Sequence, residues 1–165
     1  MRAGAARATR ANLDASSALL AIASPERSLP RWRIVQPPSP ATLLGYFRLA
    51  QARFRVRWEY LAAIEFVETR FGRVHGTSTA GAQGPMQFLP ATWRRYGGDG
   101  RIDNPHDAIL GAARYLAANG APRNMPAALY RYNNSPAYVR AVTDYARLMQ
   151  VDARAYYGYY YWPVS

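Results

Sequence analysis

Two glutamates three residues apart, Glu65 and Glu68, stand in the largely apolar run from Trp58 to Phe71. Read as a helix, this run places Leu61, Ile64, Val67 and Phe71 along one side. Glu68 follows Leu61 by seven and Ile64 by four, and precedes Phe71 by three, so it shares their face. A carboxylate on an apolar stripe is desolvated, which favours the neutral acid and raises its pKa. A general acid working near neutral pH needs that shift. Glu65 also follows Leu61 by four. A helix-end glutamate paired with Arg70 or Arg73 would fit the same pattern. Helix periodicity alone does not choose among these readings.

Two further segments carry polar groups suited to a sugar. Ser78-Thr79-Ala80-Gly81-Ala82-Gln83-Gly84-Pro85-Met86-Gln87 has glycines that permit positive φ and close backbone approach. Its last residue, Gln87, both donates and accepts, which matches acetamido and hydroxyl groups. Tyr130-Arg131-Tyr132-Asn133-Asn134 precedes a helix start and offers a phenol and amides. Taken singly, the first segment reads equally well as a turn. The second reads equally well as a core aromatic followed by capping amides.

The other titratable residues are less suggestive. Asp99 and Asp103 read as loop acids and Asp107 as a helix-start residue. His75 and His106 have no metal-ligand spacing and read as surface or loop histidines. The chain has no Cys, hence no disulfide framework and no thiol chemistry. No metal and no cofactor is expected.

The elements that must position these groups read as helices. Ser39-Pro40, Asn104-Pro105 and Ser135-Pro136 each pair a capping residue with Pro at the first helical position. Asp107 follows Asn104 at the capping-box spacing, with Asp in place of Glu. Apolar stripes follow at helical intervals: Leu43, Leu44, Phe47, Ala50, Phe54; Ile109, Ala112, Ala113, Leu116; Tyr138, Val142, Tyr145, Met149. Gly120 suits the end of the second. No stretch alternates with period two. The expected fold is therefore mainly α, a domain of short helices over 39–150 with a Gly-rich loop that could hold a small irregular β element. Residues 1–38 read as an Arg/Pro-rich arm, with Trp32, Ile34 and Val35 as candidate anchors. Residues 151–165 read as a Tyr-rich tail packing back on the domain.

The formal charge is +11, and all 21 basic residues are Arg. Residues 1–58 hold ten Arg against Asp14 and Glu26, a net +8; the rest of the chain holds +3. A basic surface attracts polyanions. The excess lies mainly before residue 59, however, and no nucleic-acid motif is visible, so nucleic-acid binding is not expected. No run approaches the roughly 20 apolar residues that span a membrane. Ala18–Ala23 is too short for a clear signal peptide.

Together the three segments, in this order, resemble the lysozyme-like lytic transglycosylases of the soluble-lytic-transglycosylase type. The matching residues are Val67-Glu68-Thr69, then Ser78 to Gln87, then Tyr132-Asn133. Pro90-Ala91-Thr92-Trp93 and Tyr115-Leu116 also fall in place, and the resemblance covers roughly residues 58–148. Glu-Thr in place of the commoner Glu-Ser points to the actinobacterial branch. Pro85 stands where many members have Leu, and Asn134-Ser135 where many have Ala-Gly.

The resemblance implies a lysozyme-like fold and peptidoglycan glycan strands as the partner. Glu68 becomes the single catalytic acid/base, which selects it over Glu65. Ser78, Met86 and Gln87 become groove residues, Tyr132 the tyrosine that positions the glutamate, and Asn133 a substrate contact. The reaction implied is cleavage of the bond from N-acetylmuramic acid to N-acetylglucosamine, with a 1,6-anhydro ring closed at the muramic acid. The alternatives are a lysozyme-type hydrolase and an inactive wall-binding module. A monomer on the cell-wall side of the membrane, extracellular or periplasmic, is expected.

Overall fold

A computed structural model describes residues 32–164; most of the basic arm and Ala18–Ala23 lie outside the described residues. The elements run β1 (Arg33–Ile34), α1 (Pro40–Phe54), α2 (Trp58–Thr69), β2 (Val74–His75), α3 (Pro90–Tyr96), α4 (Pro105–Ala118), α5 (Met125–Tyr132), α6 (Pro136–Val151) and α7 (Arg154–Tyr160). The described chain is mainly α.

Capping starts four of the helices. The side chains of Ser39, Asn104, Asn124 and Ser135 each accept the N–H of the residue three positions on, at 3.1–3.3 Å. Each is followed by Pro in the first two helical positions, where a missing N–H costs nothing. Asp107 does not close a capping box. Its carboxylate accepts the Arg101 N–H at 3.0 Å, while the Asn104 N–H goes to the Arg101 carbonyl.

Helix α2 is the axis of the fold. Leu61 through Phe66 are buried consecutively, so the helix is surrounded rather than half exposed. It packs against α1, α4, α6 and α7, and α1 lies on α4. Its start lacks a side-chain cap of its own, and the Trp58 N–H is taken instead by Gln51 Oε1 of α1 at 2.7 Å.

The helix ends two residues earlier than the apolar periodicity predicts. Arg70, Phe71 and Gly72 are all left-handed, with φ of 52°, 61° and 77°. For the two non-glycines this costs on the order of 1 kcal/mol or more each. Phe71 thus leaves the helical stripe and enters the core against Phe66, Tyr156 and Tyr160.

Both flanks of the helical body are tied in. β1 pairs antiparallel with β2, Arg33 opposite His75 and Ile34 opposite Val74, and the Val35 N–H continues to the Arg73 carbonyl at 2.9 Å. Trp32 and Ile34 stay 61 % exposed, so this segment is held by backbone pairing rather than by buried side chains. At the other end, residues 154–160 form a helix whose Tyr156, Tyr159 and Tyr160 are buried. The Tyr156 and Tyr160 hydroxyls donate to the Pro40 and Pro38 carbonyls at 2.8 Å each. Arg73 clamps the same helix: it donates to the Tyr160 carbonyl at 3.0 Å and lies over the Tyr160 ring.

Candidate active site

Near its C-terminal end α2 emerges from the core, and its two central glutamates part company. Glu65 is fully buried, and neither carboxylate oxygen has a hydrogen-bond partner. Desolvation pushes its pKa up to about 8. Glu68, one turn later, is half-buried and lines a cavity of about 300 Å³ together with Arg70, Ser78, Thr79 and Gln87. Burial raises its pKa to about 7, and the Tyr138 hydroxyl facing it pulls the value down. That hydroxyl makes no hydrogen bond of good geometry among the described residues, and its influence on Glu68 is that of a nearby donor. Burial, then the Glu68 charge, keeps Tyr138 well above the usual phenol range, so it is a neutral donor.

The Gly-rich loop builds the facing wall. Ser78 opens a tight turn, with the Gly81 N–H bonded to the Ser78 carbonyl at 2.9 Å. The Ser78 hydroxyl oxygen accepts the Ala82 N–H at 3.0 Å, which leaves its proton to donate into the cavity. Gly84, with φ +74°, packs so closely that a Cβ there would sit 1.9 Å from the Ile102 carbonyl oxygen. Gln83 and Phe88 exchange both backbone hydrogen bonds, at 2.9 and 3.0 Å, and pinch the base of the Gly84–Gln87 turn. Gln87 is left-handed (φ 52°), and its amide donates to the Gly84 carbonyl at 2.9 Å. Its side-chain carbonyl points to no protein donor among the described residues. The loop is bolted to α2 by Thr69, whose hydroxyl donates to the Pro85 carbonyl and accepts the Gly72 N–H.

Glu68, Ser78 and Gln87, singled out from the sequence, therefore meet in one cavity. The other three nominated residues do not. Met86 is fully buried, so it supports the groove from below instead of lining it. The Tyr132 hydroxyl is committed to the Met86 carbonyl at 2.7 Å. Its ring lies parallel to that of Tyr138, and it lines a second cavity of about 120 Å³ with Gln87 and Arg131. Both phenols neighbour Glu68: its charge, after burial, raises the pKa of Tyr132 as it does that of Tyr138, and the Tyr138 hydroxyl in turn lowers that of Glu68. Asn133 lines none of the three cavities described here; its N–H ends α5 on the Leu129 carbonyl. Tyr138 was hidden in the sequence because its helical spacing with Val142, Tyr145 and Met149 reads as core. The polar neighbour it serves lies seventy residues away.

A third cavity, of about 300 Å³, shares Val74 and Gly76 with the Glu68 cavity and is lined by His75, Gln83 and Asp103. Asp103 is exposed and paired with Arg101 at 3.1 Å. The Glu68 cavity thus adjoins two others, sharing Gln87 with one and Val74 with the other. Trp32 and Val164, from the two flanks of the helical body, also line the Glu68 cavity. His106 is occupied elsewhere, edge-on to Tyr46 and 3.0 Å from Asp107.

A family model described as the transglycosylase SLT domain matches residues 45–151. The membrane-bound lytic murein transglycosylase F of Thiobacillus denitrificans is 37% identical over 82 residues, which cover 50% of this chain and 17% of that protein. The chain therefore spans about a sixth of the length of the curated relative it matches. No solved structure gives a significant match. The geometry of the Glu68 cavity and the match over most of the helical body agree: the chain belongs to the transglycosylase SLT-domain family.

Proposed function

We propose that this chain cleaves peptidoglycan glycan strands as a lytic transglycosylase, with Glu68 as the single general acid/base. The observation that carries the reading is the contrast within α2. One carboxyl opens on a groove with its pKa near 7, among Ser78, Gln87 and a neutral Tyr138. A carboxyl poised there is protonated often enough to give a proton and basic enough to take one back.

Glu68 protonates the glycosidic oxygen between N-acetylmuramic acid and N-acetylglucosamine, and that C–O bond breaks. The muramic acid's acetamido group supports the developing cation. Glu68, now ionised, takes the proton of the C6 hydroxyl as its oxygen closes on C1, giving the 1,6-anhydro sugar. A displacement by water normally employs two carboxyl groups flanking the bond. Glu65 is sealed in the core and Asp103 is paired with Arg101 at the surface, which favours the single-carboxyl route. Ser78 and Gln87 hold the sugar's polar groups, and Tyr138 and Tyr132 fix the floor of the groove.

The Glu68-Thr69 pair supports placement in the actinobacterial branch. Its substrate places the protein on the cell-wall side of a membrane. Among the described residues no helix is long and apolar enough to cross one.

Product analysis on purified sacculi tests the reading. Wild-type protein releases anhydromuropeptides and the Glu68→Gln variant does not. Retention of most activity by that variant rejects Glu68. Products with reducing ends and no anhydro sugar indicate a hydrolase instead.

A further inference from the structure

Arg70 lines the Glu68 cavity, and among the described residues it has no ion-pair partner. It is half-buried. Its guanidinium lies 4.4 Å over the Phe66 ring, and one Nη donates to the Phe66 carbonyl at 3.2 Å. Among the described residues no carboxylate lies within ion-pairing distance of it; the pairs found involve Arg57, Arg101, His106 and Arg154. A guanidinium stays charged at neutral pH and presents five donors in a planar fork. One carbonyl uses a single donor. The rest of the fork has no partner among the described residues, and Arg70 lines the cavity that holds the proposed general acid.

The backbone shows that this placement is imposed. Arg70 is left-handed, as are Phe71 and Gly72, where an unstrained helix would have continued. The strained stop swings the Arg70 side chain onto Phe66. Phe66 is itself held by Phe71, Tyr145 and Tyr159. The cation therefore rests on a rigid aromatic base, with little side-chain freedom left to lose on binding. A partly desolvated, stacked and unpaired cation is built for a planar anion, above all a carboxylate taken by two parallel N–H groups.

We infer that Arg70 is an anion subsite that reads a carboxylate of the glycan strand beside the bond cleaved, so that the groove prefers acidic over neutral strands. The inference rests on the peptidoglycan reading above. The carboxylate has two possible sources with the same chemistry: the peptide stems, or the lactyl group of muramic acid once a stem has been removed.

Binding decides it without requiring cleavage. The full chain carrying Glu68→Gln is titrated with soluble glycan strands of three kinds. One kind bears native stems, one has its stem carboxylates converted to amides, and one has been stripped by an amidase to expose the lactyl carboxylate. At least one acidic kind is expected to bind about tenfold more tightly than the neutral amidated strands, as a hydrogen-bonded charge pair would give. Which kind does so identifies the source. Adding Arg70→Gln abolishes the preference, and Arg70→Lys, which keeps the charge, retains much of it. Arg147→Gln removes the same charge from an exposed site on α6 and keeps the preference.

Equal binding of all three strands overturns the inference. So does a loss in Arg70→Gln that is the same for every strand, which is the mark of a structural role. So does an Arg147→Gln effect as large as that of Arg70→Gln, which is the mark of general charge attraction. If Arg70→Gln does not fold, the comparison of strands on the parent protein and the Arg70→Lys variant still decide. Wild-type protein that shows the preference but releases no anhydro sugar refutes the proposed function and leaves the Arg70 subsite standing.

Discussion

The Thr69 hydroxyl donates to the Pro85 carbonyl at 2.7 Å and accepts the Gly72 N–H at 2.9 Å, all within the buried interior. One side chain thereby joins the last turn of α2, the left-handed stop that follows it, and the loop that ends in Gln87. The residue directly after Glu68 is thus the bolt between the two walls of the cavity.

Replacing that bolt has a definite consequence. Thr69→Val keeps the shape but leaves a buried carbonyl and a buried N–H unpaired, which costs about 1–3 kcal/mol. The melting temperature is expected to fall, and activity to fall further than stability explains, because Gln87 loses its tether. Thr69→Ser keeps the hydroxyl and is expected to match wild type within about 1 kcal/mol. Thermal melts and turnover on sacculi check both; a Val variant as stable and active as the Ser variant removes the role.

What the sequence made legible was local. Ser39, Asn104 and Ser135 announced helix starts because a cap and its Pro act within three residues. Glu68, Ser78 and Gln87 were selected by the family resemblance that the order of the motifs carries, since residue type and spacing alone left a helix-end glutamate and a plain turn open. The end of α2 was not legible: helical periodicity ran on to Phe71, and only packing against Tyr156 and Tyr160 turns that residue out of the helix. The two-residue strands β1 and β2 are too short to show a period, so Arg33 and Ile34 looked like part of an arm. Met86 and the second role of Tyr138, a core residue whose hydroxyl neighbours Glu68, were hidden for one reason. A methionine or tyrosine among apolar neighbours does not reveal which side of a groove it supports.

Tyr138 lowers the Glu68 pKa from a position where its hydroxyl has no bonded acceptor. The general acid must be protonated, so activity is expected to decline as pH rises through about 7. Tyr138→Phe removes the group that favours the charged form, so this alkaline limb moves to higher pH. Because the lost hydroxyl was unpaired, stability is expected to stay level or rise slightly. A pH–rate profile beside a melting curve tests the pair of expectations. A limb that stays in place, or moves to lower pH, refutes the assignment.

Glu65 makes stability depend on pH. Its folded-state pKa of about 8 stands above its ordinary 4.5, so across that window the folded chain keeps a proton that the unfolded chain gives up. The stabilising contribution is whole below about pH 4.5 and is lost as pH rises through about 8. The slope approaches 1.4 kcal/mol per pH unit within the window. Glu65→Gln has no proton to lose. Its stability relative to wild type is expected to improve from about pH 5 to about pH 8 and then level off, as followed by denaturant melts. Parallel curves for the two proteins rule out a buried, protonated Glu65.

Gly84 offers the sharpest separation of site from fold. A Cβ there would lie 1.9 Å from the Ile102 carbonyl oxygen, a backbone atom that cannot rotate away, and the residue's φ of +74° adds strain for any other side chain. Gly84→Ala must therefore push the turn off the Ile102 segment. The amide of Gln87, held on the Gly84 carbonyl at 2.9 Å, moves with it. The helices α1, α2, α4 and α6 do not depend on that contact, so far-UV circular dichroism is expected to stay close to wild type. Activity is expected to fall by about a hundredfold, the scale set by small misplacements of positioning groups. Gly45, whose added Cβ meets nothing, supplies the control: Gly45→Ala in α1 is expected to stabilise by about 0.5–1 kcal/mol. A Gly84→Ala protein with full activity would show that Gln87 is held by something other than this turn.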